Sequence, residues 1–279
     1  MTTTTQPRLL CQCIILVCLA GLWGPVWAQE CYVGGYQADN EFAAITSPDM
    51  DLIRSERILF GHKSIGMYIL EGVGMLDPEY QLVMEQLLAP YEASDFDSAK
   101  LGHFYFSTTD RYGKITEFDS LVRNVYGSVV DVAFFKFCYP DTDGSDYQAV
   151  FNAYSSCLDA LKTAYPNVTF VAFTGVLSDD EDSSNVTRNL YNNLVRDYYV
   201  GILPVFDIAD IESTKPTGET CTFEYGGKTY RKMWPEYSLT DGFHPNAPEI
   251  EERLGKGLLV LLDKVLCSGS SAVEYWLLY

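Results

Sequence analysis

Five short apolar runs recur along the chain, and each predicts a β-strand. The third and fourth are nearly continuous in apolar residues, which is typical of parallel strands that are covered on both faces. The stretches between successive runs are longer than the roughly dozen residues that a parallel crossover requires. The five runs are 58–60, 103–106, 129–137, 168–174 and 202–208.

Apolar residues three and four positions apart predict helices between and after these runs. The helices are expected over 145–165, 184–199 and 247–266. Alternating strands and helices predict a doubly wound α/β sheet with helices on both sides. The segment 221–231 departs from this pattern, because it contains Gly226 and Gly227 between two strand-like runs and predicts a small β-hairpin insertion. We expect this hairpin to wall a pocket ahead of the last histidine.

The N-terminus carries a predicted export signal. Arg8 precedes an apolar run over 9–23, and small residues follow up to Ala28. The run is shorter than the roughly 20 residues of a spanning helix, so a signal peptide over 1–28 is favoured over a membrane anchor. The rest, 29–279, is expected to form one domain that is secreted and has no stable membrane insertion.

Composition and charge narrow the class of protein. Hydrophobic residues make up 47% and charged residues 20%, which excludes a disordered or fibrous chain. The formal charge of −19 would repel phosphate backbones, so no nucleic-acid partner is expected.

Cysteine usage fits an exported protein. Five cysteines remain after residue 28, and two disulfides with one free thiol are expected, with the pairing open. No Cys-x-x-Cys unit occurs, which argues against structural zinc. These five are Cys31, Cys138, Cys157, Cys221 and Cys267.

Ser64 is the first candidate for chemistry. It lies in the turn 61–66 between the first predicted strand and a helical pattern. Ligands gather at the carboxyl ends of strands in a doubly wound sheet, so the hydroxyl would be exposed there. The Ser64 amide, at a helix N-terminus, is suited to donate to a developing oxyanion. The alternative is that Ser64 is only a helix N-cap.

Asp241 and His244 form the second candidate. An aspartate three residues before a histidine can bind one ring nitrogen, leaving the other to take a proton from a serine hydroxyl. The alternative is an aspartate that caps a turn beside an exposed histidine.

The serine turn after the first strand, followed late in the chain by Asp-x-x-His, resembles the SGNH, or GDSL-like, hydrolase family. The resemblance implies a three-layer α/β/α sandwich with a five-stranded, mainly parallel, flavodoxin-like sheet. It also implies that Ser64 is the nucleophile, that His244 is the general base and then acid, and that Asp241 is the orienting carboxylate.

This chain departs from the family pattern around the oxyanion hole. Lys63 stands where an aspartate is usual, and no asparagine follows the third predicted strand. The candidates for oxyanion donors are therefore Ser64, Gly113 and Tyr139, with a backbone amide as the alternative to Tyr139.

Competing motifs are weaker. Gly72-Val73-Gly74 lacks the strand and third glycine of a dinucleotide fingerprint, and the calcium-like run that starts at Asp141 lacks its final glutamate. No cofactor and no metal are therefore expected. Cys138 is expected to be a buried packing residue and His62 to lie at the surface or on a pocket rim.

These features together predict a secreted serine esterase that acts on a small-molecule or polysaccharide ester, with an O-acyl ester on a carbohydrate favoured. The alternatives are a non-catalytic secreted binding protein on the same scaffold, and a lipid esterase or acyltransferase that uses the same three residues.

Overall fold

A sheet of seven parallel strands forms the centre of the molecule. The structure is a computed structural model that describes residues 31–76 and 82–267, so the predicted signal peptide lies outside the described residues. The spatial order is β1-β7-β6-β5-β2-β4-β3. The strands are β1 Tyr32–Val33, β2 Ile58–His62, β3 Met84–Gln86, β4 Leu101–Tyr105, β5 Val132–Phe135, β6 Thr169–Phe173 and β7 Val205–Phe206.

Helices cover both faces of this sheet. The helices α1, α2, α3, α7 and α8 pack on one face, and α4, α5 and α6 pack on the other. Their bounds are α1 Gly35–Asn40, α2 Ser47–Ser55, α3 Gly66–Met75, α4 Arg111–Leu121, α5 Tyr147–Ala164, α6 Ser183–Tyr199, α7 Ile208–Ser213 and α8 Pro248–Cys267.

Alternating side chains on each strand supply two separate cores. On β5, Val132 and Phe134 join the core beneath α3 and α8, whereas Ala133 and Phe135 join the core beneath α4 and α5. Both sets are buried, which explains why this run is continuously apolar in the sequence. The predicted α/β/α sandwich is therefore confirmed.

The predicted sheet of five strands is corrected to seven. All five predicted runs form strands. Strands β1 and β3 were not predicted, because Tyr32–Val33 is followed directly by two glycines and Met84–Gln86 ends in two polar residues. The three predicted helices form within two residues of their expected bounds.

The predicted hairpin forms as an antiparallel pair, β8 Thr222–Tyr225 and β9 Lys228–Arg231. Gly226 and Gly227 have φ of 58° and 76°, the left-handed values that a two-residue hairpin loop needs and glycine adopts without strain. The cavity that the hairpin walls contains none of Ser64, Asp241 and His244.

The expected disulfides are not found. No S–S bond joins any two cysteines between residues 31 and 267 of the described chain. As for membrane insertion, none of the helices in the described ranges is both long and apolar enough to cross a bilayer.

Candidate active site

Ser64 occupies a tight turn between the end of β2 and the start of α3. Its φ of 50° lies in the left-handed region. Among the residues that the structure describes, Ser64 is the one non-glycine residue with such a backbone. A side chain in that region costs on the order of 1–2 kcal/mol, and such strain clusters at functional sites. Ile65 is the N-cap of α3, and no side chain caps it, so the interpretation of Ser64 as an N-cap is wrong.

The Ser64 hydroxyl instead faces the imidazole of His244. Its Oγ lies 2.6 Å from His244 Nε2, and His244 Nδ1 lies 2.6 Å from Asp241 Oδ2. Because Asp241 accepts from Nδ1–H, the Nε2 lone pair is directed at the serine hydroxyl. The fold thus brings together three residues from opposite ends of the chain.

Asp241 is held as an anion. Its Oδ1 accepts from the backbone N–H groups of Phe243 and His244 at 2.9 and 3.0 Å. Desolvation acts to raise the pKa of Asp241, but the hydrogen bond from the His244 ring and those from the two amides outweigh it and lower the pKa to about 2. The carboxylate therefore remains charged and orients the ring throughout the neutral range.

The loop that carries Asp241 and His244 is fixed by its own polar groups. Ser238 Oγ accepts from Gly242 N–H at 2.9 Å, and the Gly242 carbonyl accepts from Asp179 N–H at 3.0 Å. Gly242 has a φ of 76°, and a Cβ there would overlap the Asp179 carboxylate, so only glycine fits. The loop after β6, which contains Asp179, thereby supports the loop that carries Asp241 and His244.

Aromatic packing supports the same loop from the other side. The rings of Tyr139 and Phe243 stack with centroids 4.7 Å apart and planes 12° apart. The Arg188 guanidinium lies 5.4 Å from the Tyr139 ring centroid, and its Nε donates to the Tyr139 carbonyl at 3.0 Å. Tyr139 therefore packs against Phe243, the residue before His244, and its predicted role as an oxyanion donor stays a prediction.

Cys138 fixes the backbone just before Ser64. Its thiol donates to the Lys63 carbonyl at 3.0 Å, and the Lys63 ammonium reaches the carbonyls of Phe106 and Thr108 at 3.4 and 3.5 Å. Cys138 is buried, as expected, but this contact was not predicted from the sequence. Only its place at the end of a central strand, next to the one that carries Ser64, hinted at it.

A buried ion pair lies behind Cys138. Lys114 Nζ and Asp141 Oδ2 are 2.5 Å apart, with both side chains 3% exposed, and the same Oδ2 accepts from the Cys138 amide at 2.7 Å. The calcium alternative for Asp141 is therefore wrong, because its carboxylate already binds a lysine in the core.

Of the predicted oxyanion donors, the Ser64 amide is in a position to donate. The Ser64 N–H donates to no acceptor within the described residues and lies at the start of α3, where the helix dipole favours negative charge. The prediction for Gly113 is wrong, because its N–H lies in the first turn of α4 and donates to the Asp110 carboxylate at 2.6 Å.

His62 is not on a pocket rim, contrary to expectation. It is fully buried, and its Nε2 lies 2.9 Å from Nδ1 of His103 on the neighbouring strand. Desolvation, followed by the nearby His103 and Lys136, lowers the pKa of His62 to about 2. Neither ring is therefore charged at neutral pH, and His244 is the imidazole that contacts Ser64.

One cluster has the spacing of metal ligands. Atoms of Asp49, Asp263 and Cys267 lie within 4.8 Å of one another in the described chain, on α2 and the end of α8. None of these residues contacts Ser64, Asp241 or His244 through a hydrogen bond.

Comparisons with known proteins find structural matches only. No family model matches this chain, and no curated protein does. Among solved structures, the chain is similar to a protein assigned as an acylhydrolase from Bacteroides fragilis, with 12% identity, a TM-score of 0.47, and 88% of this chain and 99% of that chain covered.

Two further structures are similar to this chain. An acetylxylan esterase from Geobacillus stearothermophilus has 12% identity and a TM-score of 0.45, with 74% and 94% of the two chains covered. A GDSL-like lipase from Bacteroides thetaiotaomicron has 11% identity and a TM-score of 0.41, with 84% and 95% covered. The family named from the sequence thus occurs among the structural matches.

Proposed function

We propose that this protein is a serine hydrolase that cleaves an ester bond. The observation that carries the proposal is the continuous hydrogen-bonded line from Ser64 Oγ to His244 Nε2, and from His244 Nδ1 to Asp241 Oδ2, with both contacts at 2.6 Å. A serine hydroxyl is a weak nucleophile until an adjacent base takes its proton, and this arrangement supplies that base.

The proposed reaction has two halves. Ser64 Oγ attacks the acyl carbonyl while His244 Nε2 takes the hydroxyl proton, and the Asp241 carboxylate stabilises the resulting imidazolium. The Ser64 amide donates to the oxyanion. His244 then gives the proton to the leaving alcohol, and a water molecule activated by the same ring releases the acyl group from Ser64.

For the substrate, we propose an O-acyl ester on a carbohydrate. An open groove of about 660 Å³ borders the Lys63 contact at Thr108. Hydroxyl groups and apolar surface line it together, including the exposed ring of Tyr112, and this combination suits the hydroxyls and apolar faces of a sugar. Its polar lining residues include Ser107, Thr108, Asp110, Thr116, Glu117 and Ser120. The predicted leader over 1–28 supports a further proposal, that the enzyme acts outside the cytoplasm.

The test is a set of esters given to the purified protein. We expect release of acetate from an acetylated oligosaccharide and from p-nitrophenyl acetate, and a loss of at least about a thousandfold in Ser64→Ala. The control Ser94→Ala, at an exposed serine outside the site, should be fully active. A folded protein that hydrolyses no ester would favour the binding-protein alternative, and a preference for a p-nitrophenyl palmitate would favour a lipid ester.

A further inference from the structure

A second cavity lies between α6 and the β8–β9 hairpin. It has a volume of about 470 Å³, within the range of small-molecule sites. Three cationic side chains line it together with amide and hydroxyl groups, and no Asp or Glu is among its lining residues within the described chain. The polar groups used below belong to Asn193, Arg196, Lys228, Tyr230 and Arg231.

Two of the cations are fixed in place by carboxylates behind the cavity wall. Arg196 binds Asp207 through Nε and Nη2 at 2.5 and 2.9 Å, and Arg231 is paired with Asp210. Asp207 is fully buried and also accepts from the Tyr32 hydroxyl at 2.6 Å. Arg196 and Arg231 are therefore held in position without a ligand, which lowers the entropic cost of binding.

The third cation, Lys228, is not neutralised in this way. Its side chain is exposed on β9 and forms no ion pair with any carboxylate of the described residues. Because the two arginines are balanced by Asp207 and Asp210, Lys228 leaves the cavity with a local positive charge. This stands against a formal charge of −19 for the whole chain, so the attraction for anions is local to this cavity.

Donors without a partner also face this space. Asn193 Oδ1 accepts from Arg196 Nη1 at 3.1 Å, which leaves its NH₂ group to donate. The hydroxyl of Tyr230, which lies on the same face of the hairpin as Lys228, forms no hydrogen bond within the described residues. A ligand with several hydroxyl groups and one carboxylate matches this mixture of neutral donors, acceptors and a single unbalanced cation.

We propose that this cavity binds a hexuronate unit, that is, a sugar that carries a carboxylate, with the carboxylate on Lys228 and the sugar hydroxyls on the Asn193 and Tyr230 groups. The site is separate from Ser64, Asp241 and His244, so it would act as an anchor for an acidic saccharide. The proposal does not depend on whether Ser64 is a nucleophile.

The test is a titration of the purified protein, followed by NMR chemical shifts, with sodium glucuronate, glucose and inorganic phosphate at constant ionic strength. We expect glucuronate to bind at least about fivefold more tightly than glucose, the equivalent of about 1 kcal/mol for one charge-assisted hydrogen bond. Phosphate should bind more weakly than glucuronate, because it lacks the sugar hydroxyls.

Two charge-removing variants complete the test. Lys228→Gln should abolish the preference for glucuronate over glucose, whereas the control Lys162→Gln, at an exposed lysine on α5, should keep it. Equal binding of glucose and glucuronate, binding of phosphate as tight as that of glucuronate, or an unchanged preference in Lys228→Gln would each overturn the proposal. Loss of ester hydrolysis in Ser64→Ala would leave these results unchanged.

Discussion

Gly72 of α3 and Gly255 of α8 bring the backbones of the two helices into direct contact. A Cβ on Gly72 would overlap the carbonyl oxygen of Glu251, and one on Gly255 would overlap the carbonyl carbon of Gly72. Helix α3 begins two residues after Ser64, and α8 begins four residues after His244. This crossing therefore sets the separation of the serine and the histidine.

Gly72→Ala should move α3 and α8 apart and thereby lower activity, although Gly72 has no side chain that could contact Ser64, Asp241 or His244. A displacement of about 1 Å at a reacting group can cost about a hundredfold in rate, so we expect kcat/KM to fall by at least tenfold together with a lower Tm. Gly74→Ala is the matched control, because no atom of a non-adjacent residue in the described ranges lies within 4 Å of a Cβ there. It should be as active as the natural protein and slightly more stable. Full activity in Gly72→Ala would refute the role of the crossing.

The left-handed backbone at Ser64 predicts that the serine needed for activity lowers the stability of the folded protein. Ser64→Gly relieves the strain at a φ of 50°, whereas Ser64→Ala keeps it. Chemical denaturation should therefore show Ser64→Gly to be about 1 kcal/mol more stable than Ser64→Ala. Neither variant should hydrolyse esters. A Ser64→Gly variant that is less stable than Ser64→Ala, by the roughly 0.4–1 kcal/mol that glycine costs through the unfolded chain, would indicate that the turn carries no strain.

Asp241→Asn tests the orienting carboxylate. The amide cannot hold the Nδ1–H tautomer of His244 as the carboxylate does, so the Nε2 lone pair would no longer face Ser64 Oγ. We expect kcat to fall by about 10³–10⁴ with little change in Tm, since the side chain is partly exposed. A loss smaller than tenfold, measured with p-nitrophenyl acetate, would mean that His244 does not depend on Asp241.

The buried His62 predicts acid sensitivity. The pKa of His62 is about 2 in the folded protein against an ordinary 6.5, because desolvation and the neighbouring His103 and Lys136 disfavour its charge. The unfolded chain therefore binds a proton that the folded chain rejects, and stability falls as pH drops below 6.5. Burial lowers the pKa of His103 in the same direction.

Denaturation measured between pH 7 and pH 5 checks this window. Each such histidine can contribute up to about 1.4 kcal/mol per pH unit, so the free energy of unfolding should decline clearly over this range. In His62→Phe, which keeps a ring against Phe60, the slope should be smaller. An identical slope in both proteins would count against a neutral, buried His62.

The sequence predicts the centre of this fold better than its edges. Strands such as β5 are continuously apolar because both faces are covered, and that pattern is visible without a structure. The edge strands β1 and β3 leave almost no pattern, since glycines or polar residues interrupt the apolar positions around them. Their pairing depends on neighbours that are distant in the chain.

Some features of the candidate site can be predicted from the sequence and others cannot. The roles of Ser64, Asp241 and His244 can be predicted, because their order in the chain and their position relative to the strands suggest them. Two contacts could not be predicted from the sequence. The Cys138 thiol bonds to the Lys63 carbonyl, 75 positions away, and the Asp141 carboxylate pairs with Lys114, 27 positions away. The burial of His62 can be predicted from the sequence, since His62 lies two positions from Phe60 and therefore on the same buried face of β2.

The most direct measurement is covalent labelling of Ser64 by a fluorophosphonate, followed by peptide mapping. A fluorophosphonate reacts with a serine only where a base and an oxyanion site activate it. We expect one label, on the peptide that contains Ser64, absent in Ser64→Ala and much slower to form in His244→Ala. A correctly folded protein that takes no label, or that is labelled equally well without His244, would show that Ser64 is not a nucleophile activated by His244.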